Sequence, residues 1–358
     1  MQTGSILDRI IASKEDQAKQ NFDPAEVIAI ILKKLTTKEA DVLQRRFGLN
    51  GVAQETLEAI GNSYHVTRER VRQIENLAIK KLQHDPNFSN LMKPIEHVVM
   101  TVLGEHGGMM SEAQLLEELF LGVRSASNDQ AILFILSELV DYRFDQIGPD
   151  EEFLKAWKNK TTDIAAIETI ITQLINIIAA ANQPLSFVDI YNKINDHTIS
   201  RSAVESYLRI SNQLARNPFD EFGLQQWGSV IPRRMNDKIY LVLKKFGKPM
   251  HFVDIAQKIT EVFKKEAYPP TVHNELILNK QYVLVGRGIY ALHEWGYQRG
   301  VVADVVAEIL KASPQPLTRD DIVAAVLEQR LVKRNTIHLA LTNKQRFVRL
   351  TDGRYTLA

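Results

Sequence analysis

The segment VTRERVRQIENLAIKKL, from Val66 to Leu82, is the most informative stretch for the fold of the N-terminal part of this chain. It contains five Lys/Arg and two Glu residues. Apolar residues recur within it at helical spacing, at Val71, Ile74, Ala78 and Leu82. This spacing predicts an amphipathic helix with Thr67 as its N-cap. The other face of the predicted helix carries Arg68, Glu69, Arg72 and Gln73.

That polar face has the side chains used to read bases in the major groove. Arg can bond both acceptors of guanine, Gln can pair with adenine, and Glu accepts from the amino group of cytosine. We predict base contacts by Arg68, Glu69, Arg72 and Gln73. Contacts to the DNA backbone are predicted for Thr67, Arg70, Lys80 and Lys81. The alternative interpretation is an ordinary solvated helix with Arg/Glu pairs.

Short helices precede this segment. Pro24 is a suitable first residue of a helix capped by Asp23, and LTTKEADVLQRRFGL (35–49) predicts a second helix that stops at Gly48. ETLEAIGNSYH (55–65) predicts a third. Four short helices with tight turns predict a helix-turn-helix domain over residues 25–84, here called the head, after a helical extension at 1–24.

The head closely resembles region 4 of the primary bacterial sigma factors, the domain that binds the promoter −35 element. TRERVRQIE together with the upstream RRFGL carries this resemblance. It implies base contacts at Arg68, Glu69, Arg72 and Gln73. It also implies docking on the β flap of RNA polymerase, for which we predict Leu35, Leu43, Arg46 and Phe47. No segment before residue 25 resembles region 2, which reads the −10 element, so a complete sigma factor is not expected.

The remaining chain repeats itself. QPLSFVDIYNKI (183–194), KPMHFVDIAQKI (248–259) and QPLTRDDIVAAV (315–326) align on Pro184, Pro249 and Pro316, and GGMMSEAQLLEEL (107–119) is a looser copy. An apolar helix precedes each copy, and a third helix with a strand-like ending follows. The endings QYVLVGRGIYAL and RFVRLTDGRYTL predict β-hairpins. The order helix, turn, helix, helix and hairpin predicts tandem winged helices.

We therefore expect a mainly α fold with small β-hairpin wings, in which about four tandem winged helices follow the helix-turn-helix. Their predicted bounds are 94–160, 162–235, 236–297 and 300–358, here called the first to fourth segments. The third segment also resembles a HARE-type winged helix, as in the RNA polymerase δ subunit, and the other segments resemble it less. That resemblance implies DNA binding or assistance to polymerase.

Charge divides these segments. Residues 85–160 hold 13 acidic against 6 basic residues, whereas residues 329–358 hold seven Arg/Lys against one Asp. The acidic first segment should repel phosphate, and protein contact or simple spacing is expected of it. In the fourth segment we predict DNA backbone contacts by Lys344, Arg346, Arg349 and Arg354.

Composition excludes several classes of protein. With no cysteine among 358 residues, disulfides, Cys-ligated zinc and thiol catalysis are excluded. No apolar run approaches the roughly 20 residues that span a bilayer, and no signal peptide is evident, so a cytoplasmic protein is expected. The nine scattered His residues show no metal-ligand spacing, and we interpret His251 and His273 as capping or packing residues. We expect no catalytic residues, metal or cofactor, and no enzyme.

These patterns favour a transcription factor that reads a −35-type element of double-stranded DNA and contacts RNA polymerase core. Two alternatives remain. One is a polymerase-bound protein that does not read sequence, and the other is an adaptor associated with DNA modification or restriction. The target site, the sign of regulation and the oligomeric state are left open.

Overall fold

The computed structural model describes residues 22–120, 124–194, 196, 198–297 and 300–358. The predicted extension at 1–24 therefore lies outside the described residues, except for its last three. The chain is mainly helical with small antiparallel sheets. It divides into two compact units, Met1–Ala215 and Arg216–Ala358, and each is described by itself. The division falls inside the predicted second segment, and the six-part division into domains stays a prediction.

The head consists of four helices, as the sequence predicts. They are α1 (Pro24–Leu32), α2 (Thr37–Phe47), α3 (Leu57–Tyr64) and α4 (Arg68–Gln83). Asp23 caps α1 by accepting from the backbone N–H of Glu26 at 3.0 Å, which confirms the predicted cap. Gly48 ends α2 in the left-handed conformation at φ 69°, so the predicted stop is also confirmed.

In the rest of the first unit, helices alternate with short strands. Its elements are α5 (Phe88–Glu105), β1 (Met109–Ser111), α6 (Glu112–Phe120), α7 (Ala126–Phe134), a π-helical turn (Ile135–Leu139), β2 (Phe144–Ile147), β3 (Ala156–Asn159), α8 (Ile164–Ala181), β4 (Leu185–Ser186), α9 (Phe187–Lys193) and α10 (Arg201–Ile210). Strands β1, β3 and β2 form an antiparallel sheet in that order, and Trp157 of β3 lies opposite both Met110 and Gln146. Strand β5 (Leu214–Arg216) reaches the division.

The second unit holds two further runs of helices ending in hairpins. Its elements are β6 (Glu221–Leu224), α11 (Met235–Phe246), β7 (Met250–His251), α12 (Phe252–Phe263), α13 (Pro269–Leu278), β8 (Tyr282–Gly286), β9 (Ile289–Leu292), α14 (Val302–Ala312), α15 (Arg319–Gln329), α16 (Arg334–Leu341), β10 (Phe347–Arg349) and β11 (Tyr355–Leu357). Strands β8 and β9 pair, as do β10 and β11, which confirms both predicted hairpins.

Sequence signals at the repeat starts are confirmed as helix caps. The Ser186 hydroxyl accepts from the N–H of Asp189 at 3.2 Å, and Thr318 forms a capping box with Asp321. His251 Nδ1 accepts from the N–H of Val253 at 3.3 Å. The ring of His273 stacks on Phe252 at a centroid distance of 4.4 Å. The interpretation of both histidines as capping or packing residues is thus confirmed.

The head and the first segment share one hydrophobic core. Buried residues of α1, α2 and α4, such as Ile28, Leu43 and Leu82, belong to the same cluster as Val99 of α5 and Phe134 of α7. A second, smaller cluster of Val42, Ile60, Val71 and Ile74 lies inside the helix-turn-helix. The C-terminal half of α4 is therefore held by the first segment, which sequence patterns had separated from it.

Helix α8 is the one described helix whose length and apolar composition would also suit a bilayer, although core helices of soluble proteins meet the same criterion. One side of it is buried in the protein, at Ile167, Ile171, Leu174 and Ile178. The sequence predicted no membrane-spanning segment because no uninterrupted apolar run is long enough. In this helix the charged residue Glu168 interrupts the apolar run.

Candidate nucleic-acid interface

The turn between α3 and α4 sets the direction in which α4 projects. His65 ends α3 with φ 53°, in the left-handed region, and the N–H of Val66 donates to the carbonyl of Gly61 at 2.9 Å. A Cβ on Gly61 would lie 2.7 Å from the carbonyl oxygen of Val66. Only glycine therefore permits this close approach of the two helices.

Thr67 begins α4 as the sequence predicts. Its hydroxyl accepts from the backbone N–H of Arg70 at 3.2 Å, which satisfies one of the free N–H groups of the first turn. The predicted apolar stripe is buried in full, at Val71, Ile74, Ala78 and Leu82, and Ile79 joins it. The N-terminus of α4 is left exposed, where the helix dipole favours an anion such as phosphate.

The four side chains predicted to contact bases lie together on the exposed face of α4. Arg68, Glu69, Arg72 and Gln73 are all solvent-exposed. Two hydrogen-bonded pairs on this face join residues three positions apart. Arg72 donates from Nε and Nη2 to the two carboxylate oxygens of Glu69 at 2.8 and 2.6 Å. Arg70 donates to Oε1 of Gln73 at 3.1 Å.

These hydrogen bonds orient the side chains of the exposed face and leave them accessible to solvent. The hydrogen bond from Arg72 lowers the pKa of Glu69, so the carboxylate stays charged and keeps the guanidinium plane fixed. Such a bidentate pair is exposed and adds little to stability. In this conformation the pair orients the guanidinium of Arg72 along the exposed face of α4.

Of the predicted backbone-contact residues in the head, one has a partner elsewhere in the head. Lys81 donates to the carboxylate of Glu39, the residue that closes the capping box of α2. This hydrogen bond lowers the pKa of Glu39. Thr67, Arg70 and Lys80 are exposed. Lys81 therefore links α4 to α2, and a phosphate would have to compete with Glu39 for it.

Arg45, which no sequence pattern singled out, connects the helices of the helix-turn-helix. Arg45 donates from Nε and Nη2 to Glu55 at 2.8 and 2.7 Å, and from Nη1 to the Ser63 hydroxyl at 2.9 Å. It thereby connects α2, the loop before α3 and the end of α3. The Tyr64 hydroxyl donates to Asp41 at 2.7 Å beside it. The RR pair in the quoted RRFGL motif was the available signal.

The residues predicted to contact polymerase are divided between surface and core. Leu43 has no exposed surface, and Phe47 packs on Phe134 of α7 with ring centroids 4.6 Å apart. Leu35 is half-buried against the same core. Arg46 lies partly exposed at the rim, 3.8 Å from Glu75. While this core is intact, Leu43 offers nothing to a partner, because α7 and its neighbours already cover it.

Comparison with known proteins identifies a known domain family in this part of the chain. Residues 31–84 match the family described as Sigma-70, region 4. Residues 31–84 are a Sigma-70 region 4 domain. The chain is 40% identical over 90 residues to RNA polymerase sigma factor SigA of Nostoc sp., a match that covers 25% of this chain and 23% of that protein.

Two further relatives match over the region 4 domain. RNA polymerase sigma factor SigA of Lactococcus lactis subsp. cremoris is 52% identical over 79 residues, 22% of this chain and 21% of that protein. RNA polymerase sigma factor RpoD of Neisseria gonorrhoeae is 51% identical over 66 residues, 18% of this chain and 10% of that protein. The chain thus spans about a quarter or less of the length of these relatives.

Outside the region 4 domain, two of the four cations predicted for DNA contact are held within the chain. Arg346 donates to Asp304 at 2.8 Å, and Arg354 pairs with Asp352 at 2.6 Å. Lys344 and Arg349 are exposed and form no ion pair with any residue that the structure describes. Among these four basic residues, Lys344 and Arg349 are therefore available to bind an anion.

Proposed function

We propose that this chain is a DNA-binding transcription factor that reads a −35-type promoter element through α4 of its region 4 domain. The observation that carries the proposal is the exposure of Arg68, Glu69, Arg72 and Gln73 on one face of a helix whose opposite face is buried. The relatives that match this domain are named as RNA polymerase sigma factors.

Binding of this kind works by complementarity and involves no chemical step. The N-terminus of α4 enters the major groove, where Arg72 donates to guanine acceptors and Gln73 pairs with adenine. Glu69 holds Arg72 and can accept from a cytosine amino group. Thr67, Arg70 and Lys80 neutralise or bond the flanking phosphates, which sets the register without reading sequence.

The proposal is narrower than a complete sigma factor, because the match to SigA of Nostoc sp. covers 25% of this chain and 23% of that protein. Association with RNA polymerase core is the second function that we propose, and the names of the relatives support it. A polymerase contact through the β flap would use Arg46 and the exposed edges of Leu35 and Phe47. Leu43 is excluded from that contact unless the core opens.

For the remainder of the chain we propose tandem winged helices of the HARE type that add contacts independent of sequence. The recurring order of helix, strand, helix, helix and hairpin supports this assignment. In the fourth segment, Lys344 and Arg349 would contact the DNA backbone. The protein would act in the cytoplasm, where promoter DNA and polymerase meet.

The test begins with selection of a binding site from randomised duplexes, followed by anisotropy titrations of the selected and scrambled sites. Arg72→Ala and Gln73→Ala should each weaken the selected site by about 1–3 kcal/mol, and leave the scrambled site nearly unchanged. Lys33→Ala removes an exposed cation near the end of α1 and serves as the control.

Two outcomes would contradict the proposal. One is selection that yields no consensus sequence. The other is an Arg72→Ala variant that binds both duplexes as the wild type does. Co-purification with polymerase, together with strongly salt-dependent binding that lacks sequence preference, would instead support a polymerase-bound protein.

A further inference from the structure

In the second unit, the backbone that follows α15 pairs with strand β8. The N–H of Leu331, in the fourth segment, donates to the carbonyl of Val285, in the third, at 2.9 Å. The Arg330 guanidinium donates to the carbonyl of Leu284 in the third segment and, at 2.8 Å, to the carbonyl of Gly300, the first residue of the fourth segment. The edge of this hairpin is thus covered by the next segment.

Arg330 is buried, with only 4% of its surface exposed. Burial lowers its pKa, as expected for a cation removed from water, and the carboxylate of Asp304 acts in the opposite direction. A buried guanidinium is costly unless backbone carbonyls or carboxylates surround it. One of these carbonyls belongs to the third segment and the other to the fourth, so Arg330 loses its hydrogen bond to Leu284 if the two segments separate.

The other face of the β8–β9 hairpin is also covered. Val283, Val285 and Ala291 form a small buried cluster, against which Trp295 and Tyr297, at the end of the third segment, pack. Gly286 lies so close to Leu331 that an added Cβ would be 2.8 Å from the Leu331 carbonyl oxygen. The position therefore requires glycine, and the close approach is part of the native packing.

A similar junction occurs inside the first unit. The N–H of Leu154, in the loop of the β2–β3 hairpin, donates to the carbonyl of Ile210 at 2.8 Å, and the N–H of Asn212 donates to the carbonyl of Glu152 at 2.8 Å. The Tyr207 hydroxyl of α10 donates to the carbonyl of Gly107 at 2.9 Å. Here too a hairpin of one segment receives the backbone of the next.

We propose that the hairpins of the first and third segments are intramolecular docking edges, and that Arg330 locks the third and fourth segments into one rigid body. The wing of the third segment then serves as the interface for its neighbour and is withdrawn from nucleic acid. The two segments present their outer surfaces at a fixed spacing. A partner that touches both gains affinity, because no entropy is lost in aligning them.

The full-length chain without cysteines permits a direct test. Asn274→Cys on α13 and Gln345→Cys before β10 place spin labels on exposed positions of the two segments. Double electron–electron resonance should give one narrow distance distribution, which Arg330→Met broadens. Arg334→Met, at an exposed arginine four residues away, is the matched control and should leave the distribution narrow.

Leu331→Pro supplies an independent variant, because proline removes the N–H that pairs with Val285 and leaves Arg330 in place. Arg330 and Leu331 do not belong to the hydrophobic cluster of the third or the fourth segment, so each segment should still fold in both variants. Circular dichroism can verify this. A broad distribution in the parent chain would overturn the proposal. So would narrow distributions in both Arg330→Met and Leu331→Pro.

Discussion

Replacement of Phe134 by alanine should loosen the region 4 domain, although Phe134 lies outside the residues that match that family. Its ring is only 1% exposed and packs on Phe47 of α2. Truncation of a buried Phe to Ala costs about 3–5 kcal/mol, because transfer energy is lost and a cavity remains. The ring pair accounts for about 0.5–1.5 kcal/mol of this.

Hydrogen exchange measured by mass spectrometry can locate the loss. A loss of about 3 kcal/mol lowers protection roughly a hundredfold in every segment that opens together with Phe134. We expect the decrease in α1 and the C-terminal half of α4 as well as in α5 to α7, because these helices share the same core. Leu77→Ala is the control, since Leu77 is 53% exposed on α4 and its loss should change stability by less than about 0.5 kcal/mol.

Full protection of α1 and α4 in Phe134→Ala, together with loss of protection in α5 to α7, would contradict this prediction. That result would mean that the region 4 domain folds independently and that the shared core is only a contact between separate domains. A double-mutant cycle with Phe47→Leu and Phe134→Leu should give a coupling energy of about 0.5–1.5 kcal/mol.

Three further predictions concern a cap, a buried acid and the free cations. Thr67→Ala should destabilise the protein by about 1 kcal/mol in urea unfolding, whereas Thr67→Ser should retain the cap. Burial raises the pKa of Glu75, so the folded state prefers the protonated carboxyl group. The protein therefore loses stability as the pH rises from the pKa of Glu75 in the unfolded state to its higher pKa in the folded state. Glu75→Gln should therefore be more stable than the wild type at pH 7, with the advantage gone below about pH 4, and an equal difference at both pH values would contradict this. Lys344→Ala and Arg349→Ala should each reduce the slope of log affinity against log salt by about 0.9, whereas Arg346→Ala, whose side chain is paired with Asp304, should change it less.

Local sequence signals predicted the boundaries and faces of the region 4 domain well. The caps at Asp23 and Thr67, the stop at Gly48 and the apolar stripe of α4 depend on neighbouring residues, and the structure confirms them. The packing of Phe47 on Phe134 and the burial of Arg330 had no local signal. Both depend on residues distant in sequence, and an arginine in a basic stretch gives no sign that backbone carbonyls will surround it.

The shared core also changes how charge acts on DNA approach. Helix α4 turns its polar face to solvent and its apolar face to a core that includes α5 and α7 of the first segment. That segment lies in the stretch 85–160, which has 13 acidic and 6 basic residues. Besides burial, the charge of Glu138 in that segment raises the pKa of Glu75 on α4, so negative charge of the segment lies close to this helix. If DNA binds as we propose, this charge disfavours phosphate beside Glu75 and leaves the exposed polar face of α4, with Arg68 and Arg72, as the favourable approach.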